Sequence, residues 1–326
     1  MLEKFIEDES VSYQASSGAV DFEVEGVIFR LPKCILQRYK DSAFSNMIKD
    51  SNNESNRPIH LADTRKAFTE FRRVVYTHHH QSSKDLEKVL MVQKLAHKYC
   101  LSLVEDLAAS ISTNLATDAV SLRSRTTASL TPLDILICAL DVKCEKLAVI
   151  ARNVVKEDLW ASRLCPYAVI SRLNNYDEKE VRATAYYQVL LKGSDHWLHE
   201  QQLDRSHHYS LYAGITNLSA QWELIFSDWG SLFHIGIQKN IPGYSYSSHI
   251  QYTEYGEIHS QIWRNLAEKK FQPFDVLGKL KAIRSWTGLP RFQDIVRPAV
   301  NTEIKRIKST LHVFFQDPYT KTLPSI

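Results

Sequence analysis

His78, His79 and His80 stand side by side, and neutral imidazole is a common metal ligand. Adjacent side chains seldom point at one ion, so the triplet reads rather as an exposed loop. Farther along, His234, His249 and His259 with Glu254 or Glu257 offer a second set of donors. Thiolates carry most of the affinity of a structural zinc site, and the five cysteines, at 34, 100, 138, 144 and 165, all lie elsewhere. No structural metal is expected. Catalytic signatures are missing too: the chain has no GxxxxGK phosphate loop, no GxGxxG, no HExxH and no GxSxG. No catalytic residue, no cofactor and no small-molecule substrate is therefore expected.

Lys305, Arg306 and Lys308 lie opposite Ile304, Ile307 and Leu311 on a helical pattern, so they could follow a phosphate backbone or form a solvated basic face. The net charge of +3 is small, but from Arg264 to Ile326 twelve Lys or Arg stand against five Asp or Glu, a local +7. No recognised nucleic-acid-reading module accompanies that charge. Nucleic acid is not the expected partner.

The elements that must position these residues fit a chain of 326 residues, long enough for two or three domains, with an ordinary 44% hydrophobic and 24% charged composition. The first thirty residues lack the apolar run of a secretory signal. No stretch approaches the roughly eighteen apolar residues a membrane span needs. An odd set of cysteines without a CxxC pair fits reduced thiols. The expectation is an intracellular protein of cytoplasm or nucleus, neither secreted nor in a membrane.

Asp21, Glu23 and Glu25 alternate with Val20, Phe22 and Val24, the period of a half-buried strand, which turns at Gly26. Two short helices fit Lys33 to Ile48, the polar tract Asp50 to Pro58 is a loop, and Ile59-His60-Leu61 is a short strand. Asp63 or Thr64 caps a helix with Phe68, Phe71 and Val74/Val75 on one face, ending at Tyr76. Leu86 to Ile111 reads as two helices broken near Cys100-Leu101-Ser102. The Ser- and Thr-rich stretch up to Leu130 reads as a linker. Thr131, Pro132 and Asp134 then specify a helix start, and Asp177 to Glu180 another, with Glu180 placed for a capping box. The C-terminal third carries Trp222, Trp229, Trp263 and Trp286 and ends in a helix bearing Val300, Ile304, Ile307, Leu311 and Phe314/Phe315.

The run Phe22-Glu23-Val24-Glu25-Gly26-Val27-Ile28-Phe29-Arg30-Leu31-Pro32-Lys33, with Ile35-Leu36 and Ser42-Ala43-Phe44-Ser45-Asn46-Met47-Ile48, resembles a BTB/POZ domain. The helices that follow resemble the BACK-like region of fungal BTB proteins. The resemblance implies an α+β fold, with a BTB domain of short strands and a helical cluster followed by a mainly α-helical region. The organisation expected is a mobile lead-in at 1–17, the BTB domain at 18–115, a linker at 116–130, a BACK-like region at 131–200 and an aromatic-rich, mainly helical region at 201–326.

Members of the family bind proteins and do not catalyse reactions. The resemblance thus implies oligomerisation with itself or with other BTB proteins and an adaptor role, with the aromatic C-terminal third as either a recognition surface or core. Asp21 and Lys33 match the acidic and basic positions that line a charged groove at many BTB dimer interfaces, although Pro32 stands where the family often has histidine. Phe44, Met47 and Ile48 match a helix that helps to grip cullin-3, and they read equally as helix-packing core. In cullin-binding members a loop after that helix carries a hydrophobic residue two before a glutamate; here Asn52 precedes Glu54, so the pattern is broken. A cullin-3 substrate adaptor and a transcription-linked scaffold with weak nucleic-acid affinity are the alternatives. Some fungal relatives place a cysteine and histidine cluster before a tryptophan, here Trp263, which corresponds to the His234, His249 and His259 set.

Overall fold

A computed structural model of the chain describes residues 18–51, 58–77, 84–227, 260–262, 264–286 and 290–316. It is α+β and mostly helical, with one small sheet. The chain divides into two compact units, Met1–Val155 and Lys156–Ile326.

In the first unit, β1 (Ala19–Val24) and β2 (Val27–Pro32) form an antiparallel hairpin in which Asp21 faces Arg30 and Phe22 faces Phe29. The turn consists of Glu25 and Gly26, both at positive φ (49° and 74°), which the tight two-residue hairpin turn requires. Strand β3 (Ile59–Leu61) adds in parallel beside β1, giving the order β2-β1-β3. Val20, Phe22 and Val24 point into the core while Asp21 and Glu23 stay on the wetter face, as the alternation predicts.

Short helix α1 (Lys33–Leu36) and helix α2 (Ala43–Ser51) follow the hairpin, and α3 (Arg65–Thr77), α4 (Leu86–Lys98) and α5 (Ser102–Leu115) complete the cluster. Of the two residues that could cap α3, Thr64 does so, its hydroxyl accepting from the Ala67 amide at 3.3 Å. A second cap comes from the hairpin turn: Glu25 accepts from the Arg65 amide at 2.9 Å, placing a carboxylate at the positive end of α3. The break between α4 and α5 falls at Tyr99-Cys100-Leu101, with Cys100 at φ 56°.

The Ser- and Thr-rich stretch is not simply a linker. Asp118 and Ser121 form a reciprocal capping box that starts α6 (Ala119–Ser124), and Leu122 is fully buried. Nor does the division between units fall there. Helix α7 (Pro132–Asp141) begins as its sequence predicts, with Thr131 and Asp134 in a capping box and Pro132 in the first turn. It packs on α4, where the Cys138 thiol lies 3.9 Å from the Leu90 carbonyl. Helix α8 (Glu145–Trp160) follows and contains the position where the two units divide.

In the second unit, α9 (Pro166–Arg172), α10 (Lys179–Leu191), α11 (Ser194–Trp197), α12 (Arg205–Ser227), α13 (Val276–Ser285), α14 (Pro290–Ser309) and α15 (Leu311–Phe314) are all helical. Helix α10 buries residues all round its circumference and so lies at the centre. The capping box expected at Glu180 does not form; the cap residue is Glu178, without a side-chain capping bond, and Glu180 meets Lys156 at 2.9 Å. Gly214 of α12 lets the Phe315 ring approach, since a Cβ there would lie 2.3 Å from the ring. Val300, Ile304, Ile307 and Leu311 are buried, as the C-terminal periodicity predicts. Among the described residues no helix is long and apolar enough to cross a membrane.

Candidate interaction surface

At the open end of the hairpin Ala19 faces Pro32, so Asp21 and Lys33 stand near one margin of the sheet. The Lys33 amide closes that end by donating to the Gly18 carbonyl at 3.0 Å. Asp21 is held by Arg30, whose guanidinium donates to both carboxylate oxygens at 2.8 and 2.9 Å. That bidentate bond holds the Asp21 carboxyl below its ordinary value, against a smaller desolvation penalty. On the same face Glu23 meets His60 at 3.1 Å. The polar face of the hairpin is thus a band of alternating charges.

Phe44 and Ile48 do not belong to an open surface. Phe44 is fully buried, edge-on to Phe22 at 5.2 Å and stacked on Tyr99 at 4.4 Å and Phe71 at 5.8 Å, and Ile48 is 4% exposed. The reason is position: Phe44 meets Phe22 of β1, Phe71 of α3 and Tyr99 just after α4, so the apolar face of α2 is taken up by the unit itself. Met47 is half-buried against the same cluster. Of the five residues singled out for partner contact, Asp21 and Lys33 stand at the sheet margin with partly exposed side chains, and Met47 contributes an edge.

His78–His80, Asn52, Glu54, Trp229, His234, His249, Glu254, Glu257, His259 and Trp263 lie outside the described residues. Among the described residues no group of three His, Cys, Asp or Glu is placed to hold a metal ion.

The basic face expected at the C-terminal helix is partly engaged. Arg306 donates to Glu303 at 2.8 and 2.6 Å, which raises its already high value, while the Lys308 ammonium lies 4.6 Å from the Trp160 ring centroid. Lys305 is exposed.

No family model, no curated protein and no solved structure matches this chain.

Three features of the sites escape a sequence reading. Asp63 serves Tyr99 and Lys98 rather than the start of α3. Tyr187 donates to Asp275 at 2.5 Å, and Asp275 caps α13 by accepting from the Gly278 amide at 2.8 Å. Lys279, inside the second unit, donates to the Pro273 carbonyl at 2.6 Å and lies 4.6 Å from the Trp222 ring, while burial lowers its ammonium below the ordinary lysine value. All join residues far apart in sequence or bury a charge that hydropathy places outside. Only the i, i+4 spacing of Asp275 and Lys279 was there to be read.

Proposed function

We propose that this chain is a non-enzymatic adaptor that oligomerises through its N-terminal unit, with itself or with other proteins carrying a BTB-like domain. The observation that carries the reading is the order of elements in residues 18–115, a hairpin, two short helices, a third strand and three longer helices, with a charged margin at Asp21 and Lys33. The resemblance of Phe22–Lys33 and Ser42–Ile48 to a BTB/POZ domain supports it. An interface of this kind would bury on the order of 1,000 Å² or more. Phe44 is buried in the core, and the oligomerisation reading does not depend on it.

Light scattering coupled to size exclusion of the full chain tests the proposal. A dimer mass that shifts towards monomer in an Asp21→Ala, Lys33→Ala variant is the expected result. A monomer mass at every concentration, with no recovery of other BTB proteins in a tagged pull-down from native cells, overturns it.

A further inference from the structure

Trp160 closes α8 half-buried, its ring 5.7 Å from that of Tyr187. Tyr187 is itself buried and fixed by its bond to Asp275, so the indole rests on a rigid base. Two ammonium groups approach the same indole, Lys281 of α13 at 5.5 Å and Lys308 of α14 at 4.6 Å from the ring centroid. Arg284 stands one turn along α13 from Lys281. Lys308 is held below its ordinary value first by burial and then by the positive charges of Lys281 and Arg284. Lys281 and Lys308 meet at one indole and Arg284 follows Lys281 by one helical turn, so like charges are gathered here.

Three other cations of this unit sit against carboxylates: Lys156 against Glu180 at 2.9 Å, Arg163 against Asp158 at 2.5 Å and Arg306 against Glu303 at 2.6 Å. Among the residues whose side chains are described, no carboxylate pairs with Lys281, Arg284 or Lys308. Contact with the indole accounts for holding a lysine there, but not for gathering two lysines and an arginine, which costs stability through repulsion. An anion arriving at the patch would remove that cost.

We infer that Trp160, Lys281, Arg284 and Lys308 form a site for a phosphorylated side chain of a partner protein. A phosphomonoester concentrates roughly −1.5 to −2 charges in one compact group with three acceptor oxygens. That matches two ammonium groups at one indole with a guanidinium one helical turn from Lys281, the arginine fork supplying paired hydrogen bonds and the lysines point charges. The rest of the indole packs against the apolar part of the peptide. A nucleic-acid backbone fits less well, because such binders typically set about six to ten cations along a track. Every residue of the site lies in Lys156–Ile326, so the inference is independent of oligomerisation through the first unit.

Fluorine NMR of the full chain labelled with fluorotryptophan tests the site, the Trp160 resonance being assigned by its loss in Trp160→Phe. Titration with N-acetyl-O-phosphoserine amide is expected to move that resonance saturably, and N-acetylserine amide to leave it in place. In a Lys281→Gln, Arg284→Gln variant, whose substituted side chains are exposed, the apparent Kd should rise about tenfold or more. A Lys40→Gln, Lys49→Gln control, equal in charge but in the first unit, should behave as the parent. Absence of a saturable shift, or an unchanged Kd in the first variant, overturns the inference. So does an oligothymidine that moves the same resonance at lower concentration than the phosphoserine, which would assign the patch to nucleic acid.

Discussion

The Tyr99 hydroxyl donates a hydrogen bond to the Asp63 carboxylate, which also receives the Lys98 ammonium at 2.7 Å. Asp63 follows β3 and Tyr99 follows α4, so the sheet is tied to the helical cluster at this point. Burial first, and the adjacent carboxylate second, push the Tyr99 phenol well above its ordinary value, so it remains a donor throughout the physiological range. Tyr99→Phe keeps the ring on Phe44 but removes the donor. It should cost about 1–2 kcal/mol, read as faster deuterium uptake in peptides covering β3 and the start of α3. Unchanged uptake would show that the tie does not hold these elements.

The side chain of Phe44 is enclosed by three aromatic rings, so its removal should act on stability. Phe44→Ala should cost about 3–5 kcal/mol, whereas Met47→Ala, at a half-buried site, should cost clearly less. Denaturant unfolding checks the order. Full stability with loss of a partner in Phe44→Ala would instead restore that residue to a surface role.

These two cases show which parts of the fold can be read from the sequence. Local signals were sufficient at Gly26, where the turn needs positive φ, at Thr131-Pro132-Asp134, and at the break after Tyr99. They failed where a side chain's partner is distant: Glu180 has the spacing of a capping box, but an ion pair with Lys156 takes it. Asp118 and Ser121 show the converse. Their residue types favour loops and caps alike, and a six-residue helix is too short to reveal a period, so the sequence alone does not tell α6 from a linker. Phe44 could not be assigned because an apolar helix face looks the same whether it covers its own core or a partner. The group around Trp160 depends on residues more than a hundred positions away and has no local trace.

His207 is buried with Nδ1 2.8 Å from the Tyr186 hydroxyl and Nε2 3.7 Å from Asp204. The neutral ring suits both neighbours: Nδ1 accepts from Tyr186, and a proton on Nε2 faces the carboxylate. Burial lowers the imidazole below its ordinary value, aided by Arg182 and His208 and opposed by Asp204. Above the unfolded value of about 6.5 both states are neutral and the contribution is complete. As pH falls from there towards the lower folded value, the unfolded chain takes up the proton first and stability is lost. The thermal midpoint should fall more steeply over that window in the parent than in His207→Gln. Equal slopes would mean that His207 does not control the acid response.

Gly214 is required by the closeness of Phe315. A Cβ at this position would sit 2.3 Å from the ring, and the ring is confined because it also lies 5.3 Å from Tyr186. Gly214→Ala should therefore destabilise the second unit by about 1–3 kcal/mol despite the better helix propensity of alanine. Adding Phe315→Leu should recover part of the loss, seen as a higher thermal midpoint in the double variant than in Gly214→Ala. A Gly214→Ala protein as stable as the parent would mean that the ring moves at no cost.

Thiol reactivity tests the packing of α7 on α4 directly. Cys138 is buried against the Leu90 carbonyl, and desolvation pushes its thiol up to about 12. Cys100 and Cys165 are exposed, and Cys34 and Cys144 are intermediate. Only the thiolate attacks a maleimide, so access and ionisation act in the same direction at Cys138. Under native conditions Cys100 and Cys165 should be alkylated first and Cys138 last, its rate set by opening of the α4–α7 contact. Val92→Ala, on the buried side of α4 itself, should speed labelling of Cys138 while leaving Cys165 unchanged. Peptide mass mapping over a labelling time course reads all five sites at once. Early labelling of Cys138 in the parent protein would show that α7 does not stay docked on α4, and that the buried face of α4 is open to other occupants.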